Sequence, residues 1–270
     1  MTRDSTPPPQ PAHVHAAYSG RLRLLGGWEL WRGGVCLDVP VGGQRVVAFL
    51  ALFGRSSRSV LAGNLWPEVR EDRAAGNLRS ALWRLSRLWP DLMTHDRKDL
   101  RLHASITLDL DELTSIAQGA ADPVCIVEPR QALTTLCDAQ DLLPGWYDDW
   151  VVLQRERLRQ IRLHALEGLS ARLLDQGRFA LALDAAMAAV CCEPLRESSH
   201  RAVVAVHLAE GNVVEARRYL RWLRAYLRAE LGVEPSRHWL ALMDEVEGGS
   251  RPPVPAQRTA HTGRVAVTPR

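Results

Sequence analysis

Arg73, Asn77, Ser80, Arg84 and Arg87 recur at the three- and four-residue steps of one helical face, with Gly76 beside them. Arginine and asparagine make bidentate contacts to guanine and adenine edges, and the arginine fork also matches phosphate. The chemistry these residues suit is recognition of an anionic partner. A face exposed only to water ordinarily mixes carboxylates with cations four residues apart. This one has no carboxylate after Asp72. The face alone leaves three readings open: a nucleic-acid-reading surface, a solvated surface and a protein-docking surface.

The element that must carry these residues is DRAAGNLRSALWRLSRLW, residues 72–89. At about 100° per residue, Ala74, Leu78, Ala81, Leu82, Leu85 and Trp89 fall on a second stripe, the core side of an amphipathic helix. Upstream, GGQRVVAFLALFG (residues 42–54) predicts a helix with Val46, Val47, Leu50 and Phe53 spaced for burial. SRSVLAGNLWP predicts a short helix capped by Ser59, carrying Leu61 and Leu65 and ended after Trp66 by Pro67. The Arg-faced helix is third. Beyond it, DLMTHDRKDLRLH offers two short runs, residues 92–94 and 100–103, around an Asp96-Arg97-Lys98-Asp99 tip, a hairpin signal. Before the helices, LRLLGGWELW and VCLDVPV alternate as strands joined by a Gly33-Gly34 turn.

Strands, three helices and a basic-tipped hairpin is the order of a winged helix-turn-helix, whose third helix enters the major groove while the wing touches backbone or minor groove. Base readout then falls to Arg73, Asn77, Ser80, Arg84 and Arg87, and phosphate contact to Arg79 at the edge of the face. The wing would contribute Arg97, Lys98 and Arg101.

LRLLGGWEL, QRVVAFLAL, LAGNLWP and GNLRSALWRLSRL resemble the DNA-binding domain of the Streptomyces antibiotic regulatory proteins, a family of bacterial transcriptional activators. LLPGWYDDWVVLQRERLRQIRLHAL is similar to that family's bacterial transcriptional activator domain, and the likeness runs over roughly residues 20–247. The resemblance implies tandem promoter sites, contact with RNA polymerase holoenzyme including its sigma subunit, and control of a secondary-metabolite gene cluster. Winged helices of this kind also serve as effector domains of two-component regulators. About 20 residues precede the first strand here, too few for a receiver domain, so aspartyl phosphorylation is not the expected switch.

Composition fits this order. With 270 residues and 46% hydrophobic content, two globular domains are expected, and no apolar run is long enough for a membrane span. MTRDSTPPPQPAHVHAAYSG lacks the apolar region of a secretory signal. Residues 1–19 and 248–270 read as a disordered arm and tail, and the expected location is the cytoplasm. The net charge of +3 is concentrated in the first half: residues 20–103 hold about six more Arg and Lys than Asp and Glu, the sign a phosphate partner requires. Lys98 is the only lysine. Cys36, Cys125, Cys137, Cys191 and Cys192 lack metal-ligand spacing and read as buried or half-buried thiols, with redox sensing the alternative. Neither the histidines nor the cysteines suggest a metal site, and no cofactor motif is present.

Beyond Asp109 the pattern is helical. GRFALALDAAMAAV laid over GNVVEARRYLRWLR aligns Gly177 with Gly211, Phe179 with Val213, Ala182 with Ala216 and Ala186 with Leu220, a 34-residue tetratricopeptide-like period. Residues 151–176 and 195–210 would be the first helices of these two pairs. Residues 111–120 and 128–137 would form a degenerate earlier pair, and 236–247 a closing helix. LLPGWYDDW, with two Trp and one Tyr, reads as an aromatic plug between the domains or as a partner-binding hot spot. Arg155, Arg157, Arg159 and Arg162, with Glu156 among them, form a basic stripe on the next helix, which reads as a solvated face or as a contact for RNA polymerase or DNA backbone. Arg217, Arg218, Arg221, Arg224 and Arg228 surround a seam of Leu220, Leu223, Leu227 and Leu231.

The expected fold is mainly α: a winged helix-turn-helix (α+β) over residues 20–108, then an all-α tetratricopeptide-like repeat domain over 109–247. The expected function is a promoter-DNA-binding activator, homodimeric on double-stranded DNA, with a repeat-based protein scaffold as the alternative. No phosphate loop, nucleophile elbow or carboxylate pair suggests an enzyme; Asp148 and Asp149 are adjacent and would point apart on a helix.

Overall fold

The computed structural model describes residues 20–96, 98–120 and 128–248. Arg97, Cys125 and the expected arm and most of the expected tail lie outside the described residues. The chain divides into two compact units, the first ending at Ala202 and the second starting at Val203. The first unit opens with β1 (Gly20–Arg23), β2 (Glu29–Arg32) and β3 (Val35–Cys36), followed by α1 (Val41–Phe53), β4 (Ser56–Ser57), α2 (Arg58–Leu65) and α3 (Glu71–Leu88). Strands β5 (Met93–Asp96), β6 (Asp99–Leu102) and β7 (Ile106–Leu108) come next, then α4 (Asp109–Ala120), α5 (Pro129–Asp138), α6 (Asp149–Asp175) and α7 (Phe179–Cys192). Helix α8 (Glu197–Ala209) spans the division, and α9 (Val213–Leu231) and α10 (Arg237–Gly248) complete the described chain. A mainly helical chain with an N-terminal α+β region is the expected class.

The strands are shorter and more numerous than their alternation suggested. LRLLGGWELW is two antiparallel strands, β1 and β2, because Gly26 and Gly27 in its middle take positive φ and turn the chain back. Of VCLDVPV only Val35 and Cys36 pair, across the expected Gly33-Gly34 turn. β7 joins β1 in parallel, giving the order β3-β2-β1-β7, and β4 adds to the hairpin as β4-β6-β5. Two- and three-residue strands are too short to leave a period of two. The hairpin pairs Met93 with Leu102 and Asp96 with Asp99, so both aspartates are strand residues.

Two details of α1 and α2 differ from expectation. Phe49 is buried, while Phe53, at the last residue of α1, is 42% exposed and stacks on Phe49 with ring centroids 4.4 Å apart. The cap of α2 is Ser57, whose Oγ accepts from the Val60 amide at 3.3 Å; Ser59 lies inside the helix and its hydroxyl meets that of Ser57.

Helix α3 buries its predicted stripe: Ala74, Leu78, Ala81, Leu82, Leu85 and, just past its end, Trp89. Pro90 disfavours helical geometry at Trp89 and stops the helix there. The same core takes in Leu22, Leu24, Val46, Val47, Leu50 and Leu61 and also Leu142, Leu143, Trp150 and Val151. Trp150 meets Phe49 edge-on at 5.3 Å and Trp146 at 6.3 Å. Leu143, the one described non-glycine residue at positive φ (44°), donates its amide to Leu24 O. LLPGWYDDW is thus an aromatic plug in the core that carries α3. Its Tyr147 stays exposed.

The 34-residue period is visible atom by atom. Gly177 N donates to Leu174 O and Arg178 N to Leu173 O; 34 residues on, Gly211 N donates to Leu208 O and Asn212 N to His207 O. Both glycines hold positive φ, 70° and 85°, where a Cβ would be strained. Ala182 and Ala216, Ala186 and Leu220 are fully buried at equivalent places. In the second unit, α9 and α10 share a core of Leu220, Leu223, Leu227, Trp239 and Met243. Leu231, expected in that seam, is 51% exposed because the helix ends beside it at Gly232.

Candidate nucleic-acid interface

The third helix is long enough to present an outer face over several turns, and its first turn carries Glu71 and Asp72, which suit the positive end of the helix dipole. Arg73, Arg79, Ser80, Arg84 and Arg87 are exposed on it, while Asn77 is half-buried. At about 100° per residue, the line opposite the buried stripe runs through Gly76, Ser80, Trp83 and Arg87. Asn77 and Arg84 lie to one side of that line and Arg79 to the other. The ridge of the face is therefore offset from the centre expected from Arg and Asn spacing alone.

Trp83 is the residue that spacing missed. It is 63% exposed, and the Arg87 guanidinium lies over its ring, 5.5 Å from the centroid. The signal was present: Trp83 falls outside the apolar stripe at every step of the helical period. Ser80 Oγ donates back to Gly76 O at 3.1 Å, so its hydroxyl is engaged with its own helix.

Among the described residues, Arg73, Arg79, Arg84 and Arg87 make no ion pair with a carboxylate, in contrast to the arginines of α9. There, Arg218 pairs with Glu215, Arg221 with Glu247, and Arg224 and Arg228 with Glu234; Arg217 donates to Val246 O. The α9 charges are thus internally compensated. Three of the four arginines of the α6 stripe are engaged as well. Arg155 donates to the carbonyls of Leu142, Leu143 and Trp146 at 2.8–3.1 Å, Arg162 to those of Cys137 and Ala139, and Arg159 pairs with Glu156 and Glu193. Arg157 is the exposed member of that set.

The wing is held from below. Arg55, just before β4, pairs with Asp96 at 3.1 Å and with Asp99 at 2.7 Å. The two carboxylates hold its guanidinium above the ordinary arginine range, the Asp99 hydrogen bond contributing most. Lys98 is exposed at the tip, and exposed Arg101 donates from Nε to Thr94 Oγ1 at 2.9 Å across the hairpin. Asp109, at the start of α4, accepts from the amides of Leu24 and Leu25 beside the sheet, and Arg45 of α1 pairs with Asp148 at the start of α6.

The cysteines are more exposed than expected. Cys36, Cys137 and Cys191 are exposed, Cys192 is intermediate, and all four are free thiols. Burial raises the thiol pKa of Cys137 and Cys192. Among the described residues no group of His, Cys, Asp and Glu could hold a metal ion, and no helix is long and apolar enough to cross a membrane.

The model of the bacterial transcriptional activator domain family matches residues 129–247. The regulatory protein AfsR of Streptomyces coelicolor is 29% identical over 244 residues, covering 83% of this chain and 24% of that protein. The regulatory protein AfsR of Streptomyces griseus is 29% identical over 255 residues, covering 87% of this chain and 26% of its own. The chain therefore spans about a quarter of the length of these relatives. Among solved structures, Mycobacterium tuberculosis EmbR in complex with a low affinity phosphopeptide superposes with a TM-score of 0.67 at 19% identity, over 86% of this chain and 66% of that one. At that identity the likeness concerns the fold. Residues 129–247 thus match the bacterial transcriptional activator domain family, and most of the chain is similar to the Streptomyces regulatory proteins only at the level of this 29% identity.

Proposed function

We propose that this chain is a sequence-specific activator that binds double-stranded promoter DNA. Residues 20–108 act as the winged helix-turn-helix, with α3 in the major groove and the β5–β6 hairpin on the backbone or minor groove. Arg73, Asn77, Ser80, Arg84 and Arg87 read bases, Arg79 holds phosphate, and Arg97, Lys98 and Arg101 form the wing contact. The helical region over 109–247 pairs two copies on tandem sites and engages RNA polymerase holoenzyme through its sigma subunit. The regulated genes are a secondary-metabolite cluster.

The observation that carries this reading is the uncompensated positive face. The arginines of α9 and three of the four on α6 meet carboxylates or carbonyls, whereas Arg73, Arg79, Arg84 and Arg87 of α3 have no acid partner among the described residues, and Arg87 lies over Trp83. An isolated positive face is expected to draw in a polyanion, and the Arg and Asn side chains on it suit base edges. The test is selection of duplexes from a random-sequence pool by the full chain, followed by titration of the selected duplex and a scrambled one at two salt concentrations. Enrichment of one motif, with a specific-to-scrambled affinity ratio of about 10³ or more, supports the reading. Equal weak binding to both duplexes would leave a protein scaffold as the function.

A further inference from the structure

An exposed tryptophan on the outermost line of a helix needs a reason, because leaving so large an apolar side chain in water forgoes the favourable free energy of burying it. Trp83 is 63% exposed; Ser80, Arg87 and, two turns back, Gly76 share its ridge, and Arg79 lies to one side. None of these covers it fully; Arg87 lies over one face of the ring, leaving much of the indole to solvent. Gly76 bears no side chain, and a Cβ placed there would meet nothing closer than the Arg79 guanidinium at 3.7 Å. The ridge is thus a low saddle followed by a flat apolar projection, flanked by unpaired cations.

We propose that Trp83 is a specificity-determining residue that packs its indole against the 5-methyl group of a thymine in the major groove. This rests on the proposed placement of α3. The cations on either side favour a polyanion over an apolar protein surface, since burying four arginines without acid partners against protein would leave uncompensated charge. Within a polyanionic duplex, the thymine methyl is the apolar group on the major-groove floor, and side chains read it by contact. Arg87, stacked on the indole, would hold the ring in place while its guanidinium faces the backbone or a guanine edge. The saddle at Gly76 lets the groove wall approach the helix one and a half to two turns before Trp83.

The test uses the full chain and the duplex it selects from the random pool. Each thymine is replaced in turn by deoxyuridine, which keeps the base pair and removes only the 5-methyl group. At one or two thymines, wild-type affinity is expected to fall about three- to fivefold, the worth of one buried methyl group. Trp83→Ala should bind thymine and uracil forms of those positions equally, and Trp83→Phe should retain part of the difference. Thermal unfolding of both variants should match wild type, because the side chain is exposed.

A uracil penalty that persists unchanged in Trp83→Ala overturns the assignment, as does a selected site without thymine opposite α3. Wild-type DNA affinity in Trp83→Ala combined with lost activation would assign the residue to a protein partner instead. Failure of the underlying reading is distinguishable: there the pool yields no motif and Arg84→Ala changes nothing, whereas failure of this inference alone leaves an Arg84-dependent motif with no Trp83-coupled methyl.

Discussion

Arg55 Nε donates to Asp99 Oδ2 at 2.7 Å, joining the loop after α1 to the base of the hairpin tip. The same guanidinium reaches Asp96 on the opposite strand. Asp96 and Asp99 are therefore matched from beneath, and Lys98 beside them is exposed. Replacing Arg55 by Ala should release two carboxylates beside the DNA backbone. Affinity should fall for specific and scrambled duplexes alike, by more than the Lys98→Ala change produces. Adding Asp96→Asn and Asp99→Asn to Arg55→Ala should recover most of the loss. Electrophoretic or fluorescence titration against both duplexes checks this, and no recovery in the triple variant would make Arg55 a direct phosphate contact.

The wing itself has a simpler signature. Replacing Arg97 and Lys98 together by Ala should lower affinity for all sequences and reduce the slope of log affinity against log salt by about one to two units, roughly 0.9 per lost phosphate contact. A titration series in potassium chloride gives the slope directly. An unchanged slope removes the hairpin tip from the interface.

The core that carries α3 does not stop at residue 108, since Leu142, Leu143, Trp150 and Val151 pack into it. Trp150→Ala should cost about 3–5 kcal/mol of stability, the usual loss for a large aromatic removed from a core. Urea denaturation followed by far-ultraviolet circular dichroism measures it. A chain cut after residue 108 loses all four side chains at once and should be less stable than one cut after α6. Equal stability of the two fragments would show the plug to be dispensable.

Much of this was legible from residue types. The α3 stripe is readable because 18 residues of regular helix carry five complete turns of periodicity. The repeat is readable because its glycines are forced by backbone geometry at both turns. What escaped depends on partners that exist only after folding. Arg155 looked like surface charge, yet it binds three carbonyls of a loop whose shape is set by tertiary contacts. Phe53 has helical spacing for burial but sits where the helix runs out. Trp83 was hidden differently: centring the face on its arginines drew attention away from the line opposite the core, which only the buried residues define.

One acid group gives a pH handle on the helical region. Burial alone would raise the Glu167 carboxyl, but hydrogen bonds from Arg196, Ser198 and Ser199 outweigh it and hold the pKa below the ordinary glutamate value. A depressed folded pKa means the stabilisation is fully present above the unfolded pKa, near 4.5, and is lost as pH falls through the lower folded value. Glu167→Gln should therefore reduce stability at neutral pH, by about 1.5–3 kcal/mol for lost charge-assisted bonds. It should also flatten the decline of stability below that pH. Denaturation midpoints measured from pH 7 down to pH 3 separate the two curves; parallel curves would mean that Glu167 is not linked to folding.

The central claim is that the uncompensated face of α3 reads DNA. The most direct measurement is the affinity of Arg84→Ala for the selected duplex and for single-base variants of it, with Arg224→Ala of α9 as a charge-matched control. Arg84→Ala should lose about 1–3 kcal/mol on the selected site and lose discrimination at one base position. Arg224→Ala, whose charge is already paired with Glu234, should bind as wild type does. Equal losses in the two variants, or an Arg84→Ala protein that keeps full affinity and discrimination, would contradict the account.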